Sequence, residues 1–282
     1  MMNCLFTISF FCLGFCFYLL NREHNRTPEQ NLHRALSGGE FVAYLQPIVS
    51  QSENQITGCE VLMRWLHPTE GLLQPDRFIP LAEESGLIVP MTQALMRAVQ
   101  HHFSAIVHEL PSGFHFGFNI AARHFHDLKL IEDCRDFLAG FADQSVTMVL
   151  EVTEREILTP DEATCRLFSE LKELGVVIAL DDFGTGHANL AYLQEFDIDI
   201  LKLDKRFVMQ VGSEELSTHI VNNVLDLARR LELKIVAEGV ENSFQRDYLK
   251  THGVDFMQGY LFGRPLPLEH FWKVHGNNIH VK

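Results

Sequence analysis

At 282 residues, 46% of them apolar and 21% charged, the chain has the composition of an ordinary globular protein and room for one large or two small domains. A formal net charge of −14 argues against non-specific binding to polymeric nucleic acid, whose phosphates attract basic surfaces. A small anionic ligand stays open, provided that local cations meet its charge.

Residues 1–20, MMNCLFTISFFCLGFCFYLL, carry no charged side chain and are rich in Phe and Leu. As a helix they would span about 30 Å, the thickness of a bilayer's hydrocarbon core. A cleaved signal peptide is the competitor, but it wants a basic start and a small-residue cleavage site, and neither is evident. Arg22 and Arg26 follow and favour keeping the next segment in the cytoplasm. The expectation is a single-pass anchor in the inner (cytoplasmic) membrane, with the rest of the chain cytoplasmic. A fusion scar or a mis-chosen start are the other readings. Cys4, Cys12 and Cys16 fall in this segment as apolar filler. Cys59, Cys134 and Cys165 show no metal-ligand spacing and read as reduced structural thiols.

Residues 21–36 form a polar, partly helical connector, and Gly38 and Gly39 a turn before a strand. Eight segments rich in β-branched and aromatic residues follow: Phe41–Ser50, Thr57–Trp65, Phe114–Ala121, Val146–Thr153, Val176–Asp182, Ile198–Asp204, Lys234–Val240 and Phe256–Phe262. Helix-period stretches such as Thr92–Val107, Ala163–Leu174 and Thr218–Leu231 separate most of them. Strands alternating with helices imply a mostly parallel sheet, and eight of them a closed (β/α)8 barrel over residues 37–282. Only QSENQI lies between the first two strands, too short for a crossover helix, so those two are expected to form an antiparallel hairpin.

Barrels of this kind place their chemistry at the carboxyl ends of the strands. Those ends carry Glu60, Asn119, Glu151, Asp181 with Asp182, Lys202, Glu238 and Gln258. Alternation puts Arg64 on the same face as Glu60. Lys202 and Arg64 against Glu60, Glu151, Asp181, Asp182 and Glu238 leave a deficit of three positive charges. Unit charges about 4 Å apart interact by roughly 4 kcal/mol at an effective dielectric of 20, so such a rim needs protons or divalent cations. Every candidate donor is a carboxylate or amide oxygen, which suits Mg2+, Mn2+ or Ca2+ rather than zinc. Adjacent Asp181 and Asp182 could face two ions, one of them bridging, as in two-metal chemistry on phosphodiesters. Lys202 and Glu238 would then position a water and accept its proton. The 15 histidines form no HExxH-like pair and read as surface or core residues.

The motifs CEVLMRW, FNIAARHF, LEVTERE, ALDDFGTG, LKLDK, VAEGVE and QGYLFGRP occur in this order. From about Ser37 to Lys282 the chain resembles the EAL-domain cyclic di-GMP phosphodiesterases. The resemblance implies a barrel with one antiparallel strand and hydrolysis of cyclic di-GMP to linear pGpG. It maps a first metal site to Glu60, Asn119, Glu151 and Asp181, and a second to Asp181, Asp182 and water. It assigns Lys202 to the water, Glu238 to the general base, Arg64 to a substrate phosphate and Gln258 to metal-bound solvent. Glu154 matches a residue that steadies the loop Phe183–Leu190, and Glu241 also fits the pattern. Two Mg2+ or Mn2+ ions are the implied cofactors, with Ca2+ expected to inhibit, and a homodimer through the barrel is implied. SGGEF at Ser37–Phe41 looks like the tail of the signature of enzymes that make cyclic di-GMP, but the residues upstream in this chain are too few for such a domain. Val61, Ala121, His187 and Ala188 depart from the family pattern, and none removes a catalytic group. The alternative is a catalytically silent receptor or protein-interaction module of the same fold. Such members usually lose metal ligands or the base, and here none is lost.

Overall fold

The computed structural model describes residues 27–126, 128–141, 146–153, 161–183, 193, 196–211 and 215–276. Ten strands form one sheet: β1 (Phe41–Ser50), β2 (Gln55–His67), β3 (Gly71–Leu73), β4 (His115–Asn119), β5 (Thr147–Thr153), β6 (Val177–Phe183), β7 (Ile200–Leu203), β8 (Lys234–Ala237), β9 (Phe256–Gln258) and β10 (Leu266–Pro267). Their order is β10-β1-β9-β8-β7-β6-β5-β4-β2-β3, and pairing of β1 with β2 closes the inner eight into a barrel. β1 runs antiparallel to both barrel neighbours, β2 and β9, while the other barrel pairs are parallel. The expected irregular start is therefore present. Asn54, at a φ of 51°, helps turn the chain between β1 and β2, a backbone region that Asn tolerates well.

β4 shows why these residues close a barrel. Phe114, Phe116 and Phe118 alternate with His115, Gly117 and Asn119, and the three phenylalanines are at most 1% exposed. Phe116 meets Phe103, Phe137 and Phe141 at ring-centroid distances of 5.0, 5.8 and 5.9 Å. Phe103 and Phe137 come from helices α3 (Ile88–Ser104) and α4 (Lys129–Ala139), numbered after α1 (Pro28–Ser37) and α2 (Ile79–Ser85). In α3 the buried residues Ile88, Met91, Thr92, Leu95, Met96, Val99 and Phe103 recur at steps of three and four, a single face laid against the strands. Further helices are α5 (Glu162–Glu173), α6 (Lys205–Val208), α7 (Glu215–Arg230), α8 (Ser243–Thr251) and α9 (Leu268–His275). Most of the core lies between strands and helices. A separate cluster of Val149, Ala179, Ile200 and Val236 occupies the barrel interior.

The differences from the sequence expectation have physical reasons. β7, β8 and β9 are shorter than their apolar runs, because Asp204 caps a helix, Gly239 has a φ of 69°, and the chain turns after Gln258. The short strands β3 and β10 extend the sheet beyond the ring, and segments of three and two residues carry too little pattern to be read from sequence. Within the stretch read as a connector, α1 starts at a capping box, Thr27 with Gln30, and buries Leu32 and Ala35 in the main core. The expected membrane anchor, residues 1–20, lies outside the described residues. Among the described residues no helix is long and apolar enough to cross a membrane.

Candidate active site

The carboxyl ends of the parallel strands gather the predicted side chains on one rim. Lys202 on β7, 1% exposed, lies among three carboxylates: Nζ is 2.6 Å from Glu151 Oε2, 2.7 Å from Glu238 Oε1 and 3.4 Å from Asp181 Oδ2. Glu151 ends up there because β5 pairs with β4 at Gly117, where any Cβ would collide with the Glu151 carboxylate. Beside this group, Glu60 on β2 accepts hydrogen bonds from Asn119 Nδ2 (2.9 Å) and Gln258 Nε2 (2.6 Å). Three strands are thereby tied to one carboxylate.

Asp181 and Asp182 are separated by an irregularity in β6 rather than by the strand's end. The strand continues to Phe183, but its register with β7 slips between Leu180 and Phe183. Asp182 sits at a φ of 58°, and its N–H donates to Asp181 Oδ1 at 2.8 Å. The twist turns Asp182 from Lys202 toward Asp204, with which it shares a hydrogen bond. Asp204 also accepts from the Arg206 backbone N–H and Nε, both at 2.8 Å. Two adjacent aspartates so acquire different surroundings.

The electrostatics follow from enclosing four carboxylates with one ammonium. Burial pushes Glu151 well above the usual carboxylate range despite Lys202, and Glu60 and Asp181 add to the rise. Burial likewise pushes Glu238 up to about 8, although a fifth of its side chain, 20%, stays open to the cleft. Burial alone would neutralise Lys202, but Asp181, Glu151, Glu238 and Glu60 outweigh it and hold its pKa well above normal. At Glu60 burial is outweighed by Lys202, by the two amide hydrogen bonds and by Arg64, and the acid stays below its ordinary value.

The donor chemistry fits a hard divalent cation. All the candidate ligands are oxygens, the carboxylates outnumber the ammonium among them, and the Gln258 Oε1 atom is buried without a hydrogen-bond partner. Among the described residues no three Asp, Glu, His or Cys side chains already converge as a metal-binding group. Glu151, Asp181 and Glu238 turn to Lys202 instead.

Not every predicted residue joins the cluster. Arg64, 8% exposed, donates from Nη1 to the Met63 carbonyl at 2.8 Å, and its guanidinium stands 5.7 Å from the Tyr44 ring centroid. Glu241 is exposed, and its backbone N–H donates to Gln245. Glu154 and most of the 183–190 loop, with His187 and Ala188, lie outside the described residues. Two rim residues were missed. Gln46 accepts from Gln258 Nε2 at 3.1 Å and donates to the Gly263 carbonyl at 3.2 Å. Because β1 is antiparallel, Gln46 reaches the rim from the middle of its strand, opposite Glu60, which a survey of carboxyl ends overlooks. Asp204 was legible as an N-cap directly before a helix.

Residues 29–265 match the EAL domain family. The chain is 47% identical over 251 residues to the probable cyclic di-GMP phosphodiesterase PdeG of Escherichia coli K12, covering 88% of this chain and 50% of PdeG. It is 41% identical over 247 residues to the cyclic di-GMP phosphodiesterase PdeL of the same organism, covering 88% of this chain and 68% of PdeL. It thus spans about half the length of the first relative and about two thirds of the second. Among solved structures, the PaMucR phosphodiesterase in complex with c-di-GMP superposes with a TM-score of 0.77 at 33% identity, over 86% of this chain and 98% of that one. The chain belongs to the EAL domain family.

Proposed function

We propose that this chain is a phosphodiesterase that hydrolyses one phosphodiester bond of cyclic di-GMP to linear pGpG. The observation that carries the proposal is the rim itself, where Glu60, Asn119, Glu151, Asp181, Lys202, Glu238 and Gln258 are all retained and packed together. The names of PdeG and PdeL support the substrate, as does a ligand-bound relative at 33% identity.

Glu60, Asn119, Glu151, Asp181 and Asp182 would hold two divalent cations, Mg2+ or Mn2+. Bound there, such ions polarise a phosphoryl oxygen and acidify a bound water. Glu238 has an upward-shifted pKa and a face open to the cleft, which suits a base that takes a proton from water near neutral pH. Lys202 fixes the orientation of that carboxylate and stabilises its charge. Gln258 holds Glu60 in place through its amide nitrogen and leaves its buried, unpartnered oxygen as an acceptor. Arg64, released from the Met63 carbonyl, would meet a substrate phosphate. In the same reading residues 1–20 anchor the chain in the cytoplasmic membrane, the barrel faces the cytoplasm and two barrels associate.

The deciding experiment is turnover of cyclic di-GMP with Mg2+ or Mn2+, for wild type, Glu60→Ala and Glu238→Ala. Expected is pGpG from wild type, at least a hundredfold less from either variant, and inhibition by Ca2+, whose looser geometry misplaces the water. Tight binding by wild type with no pGpG under either metal would instead make the chain a receptor.

A further inference from the structure

The interior of a (β/α)8 barrel is ordinarily filled by layers of side chains. Here it is open from below. A cavity of about 850 Å3 enters between the amino-terminal ends of the strands and runs up the barrel axis to Glu151 and Lys202. The middle of the barrel leaves it room because Ala179 stands where a larger side chain would reach inward. The volume falls within the range of small-molecule sites, about 300–1,000 Å3, and the walls of Val149, Ile200 and Val236 have the apolar character of such sites.

Two polar groups face this shaft without the partners expected of them. β1 and β2 pair Ile48 with Gly58 but Val49 with Ile56, so Thr57 is the extra residue of a β-bulge. Ile56 is thereby turned into the outer core and Thr57 lines the shaft. The Thr57 hydroxyl is buried with no hydrogen-bond partner. Next to it, the His115 ring rests against the place where Gly58 would carry a Cβ, and lies 5.3 Å from the Phe256 ring. Among the described residues the His115 side chain makes ring contacts but no hydrogen bond. Burial and the nearby Lys234 ammonium keep it neutral, its pKa lowered to about 4.

The charges enclosed in the shaft are already engaged, whereas Lys234 at its mouth is exposed, forms no ion pair among the described residues and stands 5.8 Å from the Phe256 ring centroid. Lys202 and Glu151 are paired in its ceiling. At its mouth Asp199 accepts from the Ile178 N–H and pairs with Lys172, and Asp255 accepts from the Ile235 N–H. Deeper than that mouth, a charged ligand would lose its hydration and find no free counter-charge. We infer that the lower shaft is a second ligand site, entered from the end of the barrel opposite the catalytic rim, for an uncharged heteroaromatic molecule that offers a hydrogen-bond donor and an acceptor to Thr57 and His115. Phe256 and His115 give it an aromatic wall.

Benzimidazole is a suitable probe, uncharged at neutral pH and carrying one donor and one acceptor. Its binding to the full chain is measured by calorimetry in chelator, where cyclic di-GMP can be added without turnover. Expected is saturable one-to-one binding, unchanged by saturating cyclic di-GMP. Val177→Phe, which blocks the lower shaft, should weaken it at least tenfold. Thr57→Val, which deletes only the hydroxyl, should weaken it severalfold. Absence of saturable binding, as from a shaft that holds only water, overturns the inference. So does displacement by cyclic di-GMP, or unchanged affinity in Thr57→Val, the variant least able to disturb folding.

Discussion

Replacing Lys202 by Met leaves Glu151, Asp181 and Glu238 facing one another with no cation between them. Breaking a buried ion pair from one side typically costs about 3–5 kcal/mol. The metal-free Lys202→Met variant should lose stability on that scale in urea unfolding, and should regain part of it with Mn2+, which supplies the missing charge. A loss below about 1 kcal/mol would show that the carboxylates simply take up protons. Glu238→Gln separates chemistry from architecture: the amide oxygen can still accept from Lys202, but the base is gone. Turnover should fall by about 10²–10⁴, the usual contribution of a general base, with cyclic di-GMP affinity within a few fold of wild type. A matching loss of affinity would make Glu238 a binding group rather than the base. The sequence showed the types and spacings of these residues, because carboxylates at the ends of apolar runs have few other uses. It did not show which partner each had chosen. That Glu60 takes the two amide hydrogen bonds while Glu151 takes the direct contact with the lysine depends on strand register, which no single segment encodes.

At the scale of the element, the strands most easily read were those with a two-residue alternation, such as β4 with its three outward phenylalanines. Irregularities were hidden. The bulge at Thr57 and the slip at Asp181–Asp182 each add one residue to a pattern that still looks like a strand. The slip nevertheless makes a testable demand. Asp182 is held at a positive φ, where Asn is tolerated nearly as well as Asp and β-branched residues are not. Asp182→Asn should therefore keep its unfolding free energy within about 1 kcal/mol of wild type, while Asp182→Val loses about 1–3 kcal/mol through backbone strain. Turnover should drop at least a hundredfold in both, since each removes the carboxylate. Equal stability of the two variants would mean that the backbone there relaxes at no cost, and that the slip does not fix where Asp182 points.

At the scale of the molecule, closure of the barrel was legible because one short connection forced the antiparallel strand of the ring. The layering inside the barrel was not, since a small residue in a strand reads the same whether it faces a void or a neighbour. This interior places two titrating groups at opposite ends of one axis, and they oppose each other. His115, near the lower end, has a folded pKa of about 4 against an ordinary value of 6.5. Its contribution to stability is complete above pH 6.5 and is lost as the pH falls toward 4, because the unfolded chain binds the proton first. Lys234 is the cation facing it. Glu238, at the upper end, has a folded pKa raised to about 8 from 4.5. Its contribution is complete below pH 4.5 and is lost as the pH rises toward 8, because the unfolded chain releases the proton first. The metal-free protein should thus be most stable where the two slopes cancel, between about pH 4.5 and 6.5, and should lose stability above that interval. Removing one end at a time tests the opposition. Glu238→Gln should abolish the alkaline loss and leave a melting-temperature profile that rises from about pH 4 to 6.5 and then holds level, whereas His115→Gln should bring the loss forward to begin near pH 4.5. Added Mn2+ should also flatten the alkaline side, since cations on the rim favour the carboxylates in their charged form. A wild-type profile that rises steadily from pH 5 to 8 in chelator would contradict the placement of an enclosed, under-compensated acid at the top of the barrel.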